Sequence, residues 1–268
     1  MNHLRRELAP VGDRAWRLLE GAAGAALRPA LAARRLVEVT GPHGWTHASV
    51  SLGRTDLLAV EPAAGVRARR RVVQPLVELR AGFRLPCEAL EDAERGDEAV
   101  DLSDLEGAAR QLALAENLLV FHGYDQAGIT GCTQASPHDP IPLGDDRDAY
   151  PRQVARAVAT LRRAGVGGPY ALALGPDAFT SVVETAERGA GVLLLDHLRG
   201  ILDGPVVWAP GVEGGVLVST RGGDLRLDLG ADVSLGYDRH DADAVHLYLE
   251  ESCAFTLTGP EAAVALPA

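Results

Sequence analysis

Apolar residues recur every three or four positions from Asp13 onward, at Trp16, Leu19, Ala23 and Leu27, which lines up one face of a helix. Asp13 is a suitable N-cap, and Pro29 marks where the helix ends or kinks. Past Leu36 the period changes: "LVEV" is β-like, and it stops at "GPHGWTH", residues 41–47. His43 and His47 are four apart, the spacing of two zinc ligands on a helix. Gly41, Pro42 and Gly44 disfavour a helix, and "WTHASVSL" favours a strand, on which four steps carry the two rings roughly 13 Å apart. The segment therefore reads as a hinge rather than a metal loop.

A two-armed stretch follows. Its outgoing arm runs from Trp45 to Leu52, its middle "GRTDLLAVEPAAGV" is loose, and its return arm enters "VELRAGFRL". Val77, Leu79, Ala81, Phe83 and Leu85 alternate with Glu78, Arg80 and Arg84, so one face of this strand is made to be covered. Burying four large side chains is worth about 6 to 12 kcal/mol, whereas ordering nine backbones costs about 9 to 18 kcal/mol. A two-stranded ribbon of this kind does not stand alone; it lies on its own body or on another subunit.

"SDLE", Ser103 to Glu106, has the form of a capping box at the start of a long helix carrying Leu105, Ala109, Leu112 and Leu119 and ending at Gly123. A turn-rich connector then leads into a second lobe. There the pattern predicts a helix over 151–164, the strand "YALAL", a helix from Pro176 to about Glu187, the loop "ERGAG" and a helix over 192–198. Five β-like runs complete the chain: "GGVLVST", "DLRLDLG", "SLGYDRHD", "AVHLYLE" and "CAFTLTG", the first two joined by a Gly222-Gly223 hairpin turn. The class is α+β, with two interleaved lobes and a protruding arm.

Composition narrows the function. The 268 residues, 47% hydrophobic and 24% charged, are ordinary for a soluble globular protein, and no apolar run approaches a membrane span. "MNHLRRELAP" carries charge where a signal peptide needs apolar residues, which predicts a cytoplasmic protein. All 26 basic residues are arginine, so no lysine nucleophile exists. A net charge of −11 argues against a nucleic-acid partner. Cys87, Cys132 and Cys253 lack the spacing of a zinc site or a disulfide framework.

Chemistry is sparse. There is no G-x-S-x-G elbow, Walker loop, H-E-x-x-H or G-x-G-x-x-G. Ser136, His138 and Asp139 are too close in sequence to form a triad and read as a polar turn. His240, Asp241 and His246 are conceivable metal ligands without a well-spaced third donor of the usual type, and no metal is assigned. The distinctive content is architectural.

Several stretches in succession carry a resemblance: "LRRELAPVGDRAW", "LAARRLVEVTGPHGW", "VQPLVELRAGFRL", "LEDAERG", "DLSDLEGAARQLALAENLLVFHG", "GPYALALGPD" and "RGGDLRLDLGADVSLGYDRHDADAVHLYLEES". In order and spacing the chain resembles the encapsulins, bacterial shell proteins with the fold of tailed-phage major capsid proteins. The resemblance implies a peripheral domain from residues 1–43, 77–131 and 223–268, with the extreme C-terminus free to pack elsewhere. It implies an extended loop over 44–76 and an axial domain over 132–222. It further implies about sixty copies in an icosahedral, cytoplasmic nanocompartment serving iron storage or defence against oxidative stress. The cargo would be a dye-decolorising peroxidase or a ferritin-like protein, held by its C-terminal peptide.

By the same resemblance, cargo peptide would bind Leu27, Leu31, Arg34, Glu38, Asp232, Val233, Leu235 and Tyr237. Glu187, Arg188, Gly189, Ala190 and Gly191 would line a five-fold pore. Gly41, Pro42, Gly44 and Trp45 would form the arm hinge. No cofactor is expected, because Glu88 stands where some relatives have an aromatic that stacks a flavin. A viral major capsid protein would share the fold, but an acidic subunit suits DNA packaging poorly. A bacteriocin or hydrolase-type enzyme would need a nucleophile motif that the chain lacks.

Overall fold

A computed structural model describes residues 3–185 and 193–268. The first helix, α1 (Asp13–Ala30), presents Trp16, Leu19, Ala23 and Leu27 to the core, as the periodicity predicts, and ends one residue after Pro29. Asp13 is not its cap. Gly12 holds that position, and the Glu94 carboxylate accepts the Arg14 and Ala15 backbone N–H groups at 3.0 Å each. A distant acid thus satisfies the free amides that a local side chain usually serves.

After a 3-10 turn at Ala33–Arg35 come β1 (Glu38–Thr40) and the "GPHGWTH" loop. Here the expected extended run is corrected. The His47 N–H bonds to the Gly44 carbonyl at 3.0 Å, closing a turn that brings the His43 and His47 rings to 4.8 Å between centroids. Gly44, at φ +102°, allows the chain to reverse, and the strand starts only afterwards. The arm is β2 (Ser49–Leu57) and β3 (Arg69–Pro75), antiparallel partners from Ser49 opposite Pro75 to Leu57 opposite Arg69.

Next follow β4 (Val77–Pro86), α2 (Cys87–Arg95) and the long α3 (Ser103–His122). The predicted capping box does not form. Ser103 is itself helical, its N–H is capped by Asp101 at 2.9 Å, and Glu106 faces Arg110 instead. That bond to the Ser103 N–H, joined by the Ser103 hydroxyl, holds the Asp101 carboxyl below its usual range. The second lobe contains α4 (Cys132–Ala135), α5 (Tyr150–Arg163), β5 (Tyr170–Leu174), α6 (Pro176–Glu184), α7 (Leu194–Leu202) and β6 (Val206–Trp208). The final strands are β7 (Gly215–Ser219), β8 (Leu225–Leu229), β9 (Ser234–His240), β10 (Ala244–Leu257) and β11 (Ala263–Leu266).

These strands make two separate body sheets. One has the order β1, β8, β10, β4, with β9 beside the first half of β10; the other has the order β11, β7, β5, β6. Gly222 and Gly223 therefore do not turn a hairpin. β7 and β8 belong to different sheets, and the glycine pair, both at positive φ, carries the chain across. The last strand returns to the second lobe by pairing with β7, and the Ser136 hydroxyl and His138 ring pin that return by bonding the Ala263 and Glu261 carbonyls.

Two apolar clusters result. One surrounds the β5–β7 sheet and takes in Phe121, Leu227 and Phe255; the other gathers α1, α2 and α3 against Phe83, Leu85, Leu235, Leu247 and Leu249. Strand β10 serves both, because its early residues enter one cluster and Cys253 and Phe255 the other. The body is thus well covered. Within β2 and β3, by contrast, only Val50 is buried.

Candidate functional site

The end of α1 and the start of β9 meet at one apolar cluster. Leu27, Leu235 and Tyr237 are buried in it, with Leu31 and Val233 half-buried at its margin. The chain's own residues already cover part of this place: the Tyr237 N–H bonds the Leu4 carbonyl at 2.9 Å, and its hydroxyl meets His240 Nδ1 at 2.6 Å. The surface left open at this cluster is therefore concentrated at Leu31, Val233 and the neighbouring Asp232.

Arg34 organises the polar side. Its Nε donates to Glu116, its Nη1 to Asp232 and its Nη2 to Glu251, each at 2.7 Å. Glu116 and Glu251 are fully buried, and one oxygen of each lacks a hydrogen-bond partner. Burial pushes both carboxyls above their usual range, Glu251 furthest, against the pull of Arg34. One guanidinium cannot neutralise three carboxylates, and burial favours a proton held by the buried pair. Asn117 fixes the geometry from behind, accepting the Ala33 N–H and donating to the Ala30 carbonyl.

Glu38 is elsewhere. It lies on β1 opposite Arg226, accepts the Gly223 N–H at 3.1 Å, and lines a cleft with Arg35, Ser219 and Asp224. Glu187, Arg188, Gly189, Ala190 and Gly191 lie outside the described residues. Sequence reading missed Glu116, Asn117 and Glu251, although Glu116 falls on the helical stripe that runs through Leu105, Ala109 and Leu112. A carboxylate on a core stripe was the available signal.

At the arm's root, the His43 and Gly44 N–H groups bond the Leu229 and Gly230 carbonyls at 3.0 and 2.7 Å. Gly41 has φ +102°, and a Cβ there would lie 2.4 Å from the Leu229 oxygen. Pro42 follows it through a cis peptide bond. Trp45 stacks on His3, with ring centroids 4.9 Å apart and planes within 10°. Beyond this anchored root, Leu57, Leu58, Val60, Val66 and Val73 are all exposed, Val60 at 79%. No group of three or more metal-ligating side chains exists among the described residues, and no helix among them is long and apolar enough to cross a membrane.

A well-packed body with an uncovered apolar arm is the form of an assembling subunit, and the comparisons agree. The family model described as "Encapsulating protein for peroxidase" matches residues 1–254. The chain belongs to the encapsulin family of shell proteins. It is 48% identical to the Type 1 encapsulin shell protein of Rhodospirillum rubrum, covering 99% of this chain and 96% of that one. It is 41% identical to the Type 1 encapsulin shell protein of Mycobacterium tuberculosis, covering 99% of both. These relatives are named as shell proteins rather than enzymes.

The solved structures show the capsid fold. The virus-like particle from Pyrococcus furiosus superposes with a TM-score of 0.67 at 18% identity, over 94% of this chain and 98% of that one. The capsid of Myoviridae phage XM1 does so at 0.53 and 10%, over 86% and 88%. The expected α+β class with a phage-capsid fold therefore stands.

Proposed function

We propose that copies of this encapsulin chain close into a cytoplasmic icosahedral shell of about sixty subunits and retain a peroxidase through that enzyme's C-terminal peptide. The uncovered arm is the observation that carries the reading. Leu57, Leu58, Val60 and Val66 gain cover only from a second molecule, since their own body leaves them in water. The family description supports a peroxidase as cargo. The three free cysteines suit a reducing compartment.

In this reading residues 1–43, 77–131 and 223–262 form the peripheral domain, 44–76 the extended loop, and 132–222 with β11 the axial domain. Cargo peptide lies against Leu31 and Val233, with Asp232 and Arg34 fixing its polar groups. Many weak peptide sites in one shell give strong retention. No flavin is assigned, because Glu88 is exposed in the first turn of α2 and offers a carboxylate with no π face.

Negative-stain microscopy and native mass spectrometry test the shell. Closed particles of one size are expected, and a monomer or dimer at every concentration overturns it. Co-expression with a peroxidase bearing or lacking its terminal peptide tests the cargo. Capture that does not depend on the peptide rejects that part, as would capture of a ferritin-like protein alone.

A further inference from the structure

Strand β9 has one edge that no strand covers. It pairs with β10 on its inner side, Gly236 standing opposite Tyr248 and Leu235 opposite Leu249. On its outer side the Tyr237 N–H bonds the Leu4 carbonyl at 2.9 Å, so the chain's own beginning sits there. Alternate residues of an antiparallel strand aim their backbone groups to opposite sides, and Leu235 therefore faces outward with Tyr237. Among the described residues no strand lies along that edge.

Residues 3–8 cross the subunit as a strap with few holds. The His3 ring stacks on Trp45 at the arm's root, and its Nε2 is 3.9 Å from the Glu250 carboxylate. The Arg6 guanidinium lies 4.2 Å above the Trp16 ring and donates to Glu20 at 2.7 Å. Between these holds Arg5 takes φ +52°, a left-handed conformation that a residue with a Cβ adopts at a cost. Leu8, in the 3-10 turn at Arg6–Leu8, is exposed. A ring stack, a surface ion pair and an edge hydrogen bond are each weak, so the strap opens far more readily than the body unfolds.

The strap lies beside the proposed peptide site. From Val233 to Tyr237 is four steps of nearly extended chain, about 13 Å. A peptide seated at Leu31 and Val233 that continues along β9 thus meets the Leu4 carbonyl within about four residues. Adding to a strand edge gives such a peptide main-chain hydrogen bonds whatever its side chains. We propose that the strap and an extended cargo peptide compete for the outer edge of β9, so that strap opening sets how tightly the peptide is held. The inference rests on the peptide reading above and names what regulates that site.

Two opposed changes to the strap test it on the full-length protein. Particles reassembled over a concentration series of a fluorescent peptide, the C-terminal sequence of the co-expressed peroxidase, report peptide bound per assembled subunit. A site open only part of the time binds with an affinity reduced by its open fraction. His3→Ala with Arg6→Ala removes two holds and should tighten binding at least about threefold. Arg5→Gly relieves the left-handed strain, steadies the strap and should weaken binding at least about threefold. Unchanged affinity in either variant, or a change in the opposite direction, overturns the proposal.

Hydrogen exchange on wild-type particles gives a readout that needs no variant. Bound peptide should protect amides of β9 while exchange in residues 3–8 speeds at least about threefold. If residues 3–8 keep or gain protection as peptide binds, the strap is not displaced and the proposal is overturned. Wild-type particles that bind no peptide at any concentration would instead reject the peptide reading, so the two failures are distinguishable.

Discussion

Arg34 meets Glu251 at 2.7 Å inside the body, yet the other oxygen of that carboxylate has no hydrogen-bond partner. With Glu116 on the same guanidinium, native Glu251 is held well above the ordinary carboxyl range by burial. Its proton is bound more tightly in the folded protein than in the unfolded chain. The stability due to this binding is complete below the unfolded value of about 4.3 and is lost as pH rises through the raised native value. Glu251→Gln keeps the shape and cannot ionise. Denaturant titrations from pH 5 to 9 should show a flatter pH profile for the variant, by up to about 1.4 kcal/mol per pH unit, and equal or greater stability at pH 8. A wild-type profile no steeper than the variant's would reject the shared proton.

Removing the cation has the opposite effect. Arg34→Met leaves Glu116 and Glu251 buried without their counter-charge, which costs about 3 to 5 kcal/mol when one partner of a buried pair is lost. Combining it with Glu251→Gln should recover part of that loss. Additive losses in a double-mutant cycle would show that the three groups do not act together.

The long helices, most of the strands, the covered face of β4 and the arm were legible because each follows from local periodicity, whereas α2, α4, β6 and β11 were not predicted. What escaped was set by partners far along the chain. Glu94 caps α1 from about eighty residues away, so the Asp13 signal pointed to the wrong side chain. Asp101 displaced the Ser103 capping box. Gly222-Gly223 has hairpin composition, but its flanking strands find better partners in two different sheets. Of the residues expected to hold a cargo peptide, Leu27, Leu31, Val233, Leu235 and Tyr237 share one cluster, while the pairing of β1 with β8 takes Glu38 to another cleft. Local pattern does not encode those choices.

The arm's root gives a sharp backbone test. Gly41→Ala places a Cβ 2.4 Å from the Leu229 carbonyl at a φ that L residues rarely adopt. Gly44→Ala meets no atom and has only the unfavourable φ. Expected losses are about 2 to 4 kcal/mol for the first and about 1 to 2 for the second, with assembly impaired in the same order. Thermal unfolding and the assembled fraction on size exclusion measure both. Equal effects would mean that the bond from His43 to Leu229 does not position the arm.

On the proposed peptide site, Leu31→Asp should separate cargo retention from shell formation. Leu31 is half-buried at the margin of its cluster, so the substitution removes apolar surface offered to a peptide without placing a carboxylate in the core. The arm lies elsewhere in the fold and is untouched. Particles should therefore form at the wild-type level while co-purified peroxidase falls at least about tenfold, the effect of about 1.4 kcal/mol or more at each site. Leu235→Asp is the necessary contrast. Leu235 is buried, so charging it should destabilise the subunit and reduce particles and cargo together. If Leu31→Asp loads cargo normally, the peptide does not bind at the junction of α1 and β9. If it abolishes particles as Leu235→Asp does, Leu31 belongs to the packing of the body rather than to a surface left open for cargo.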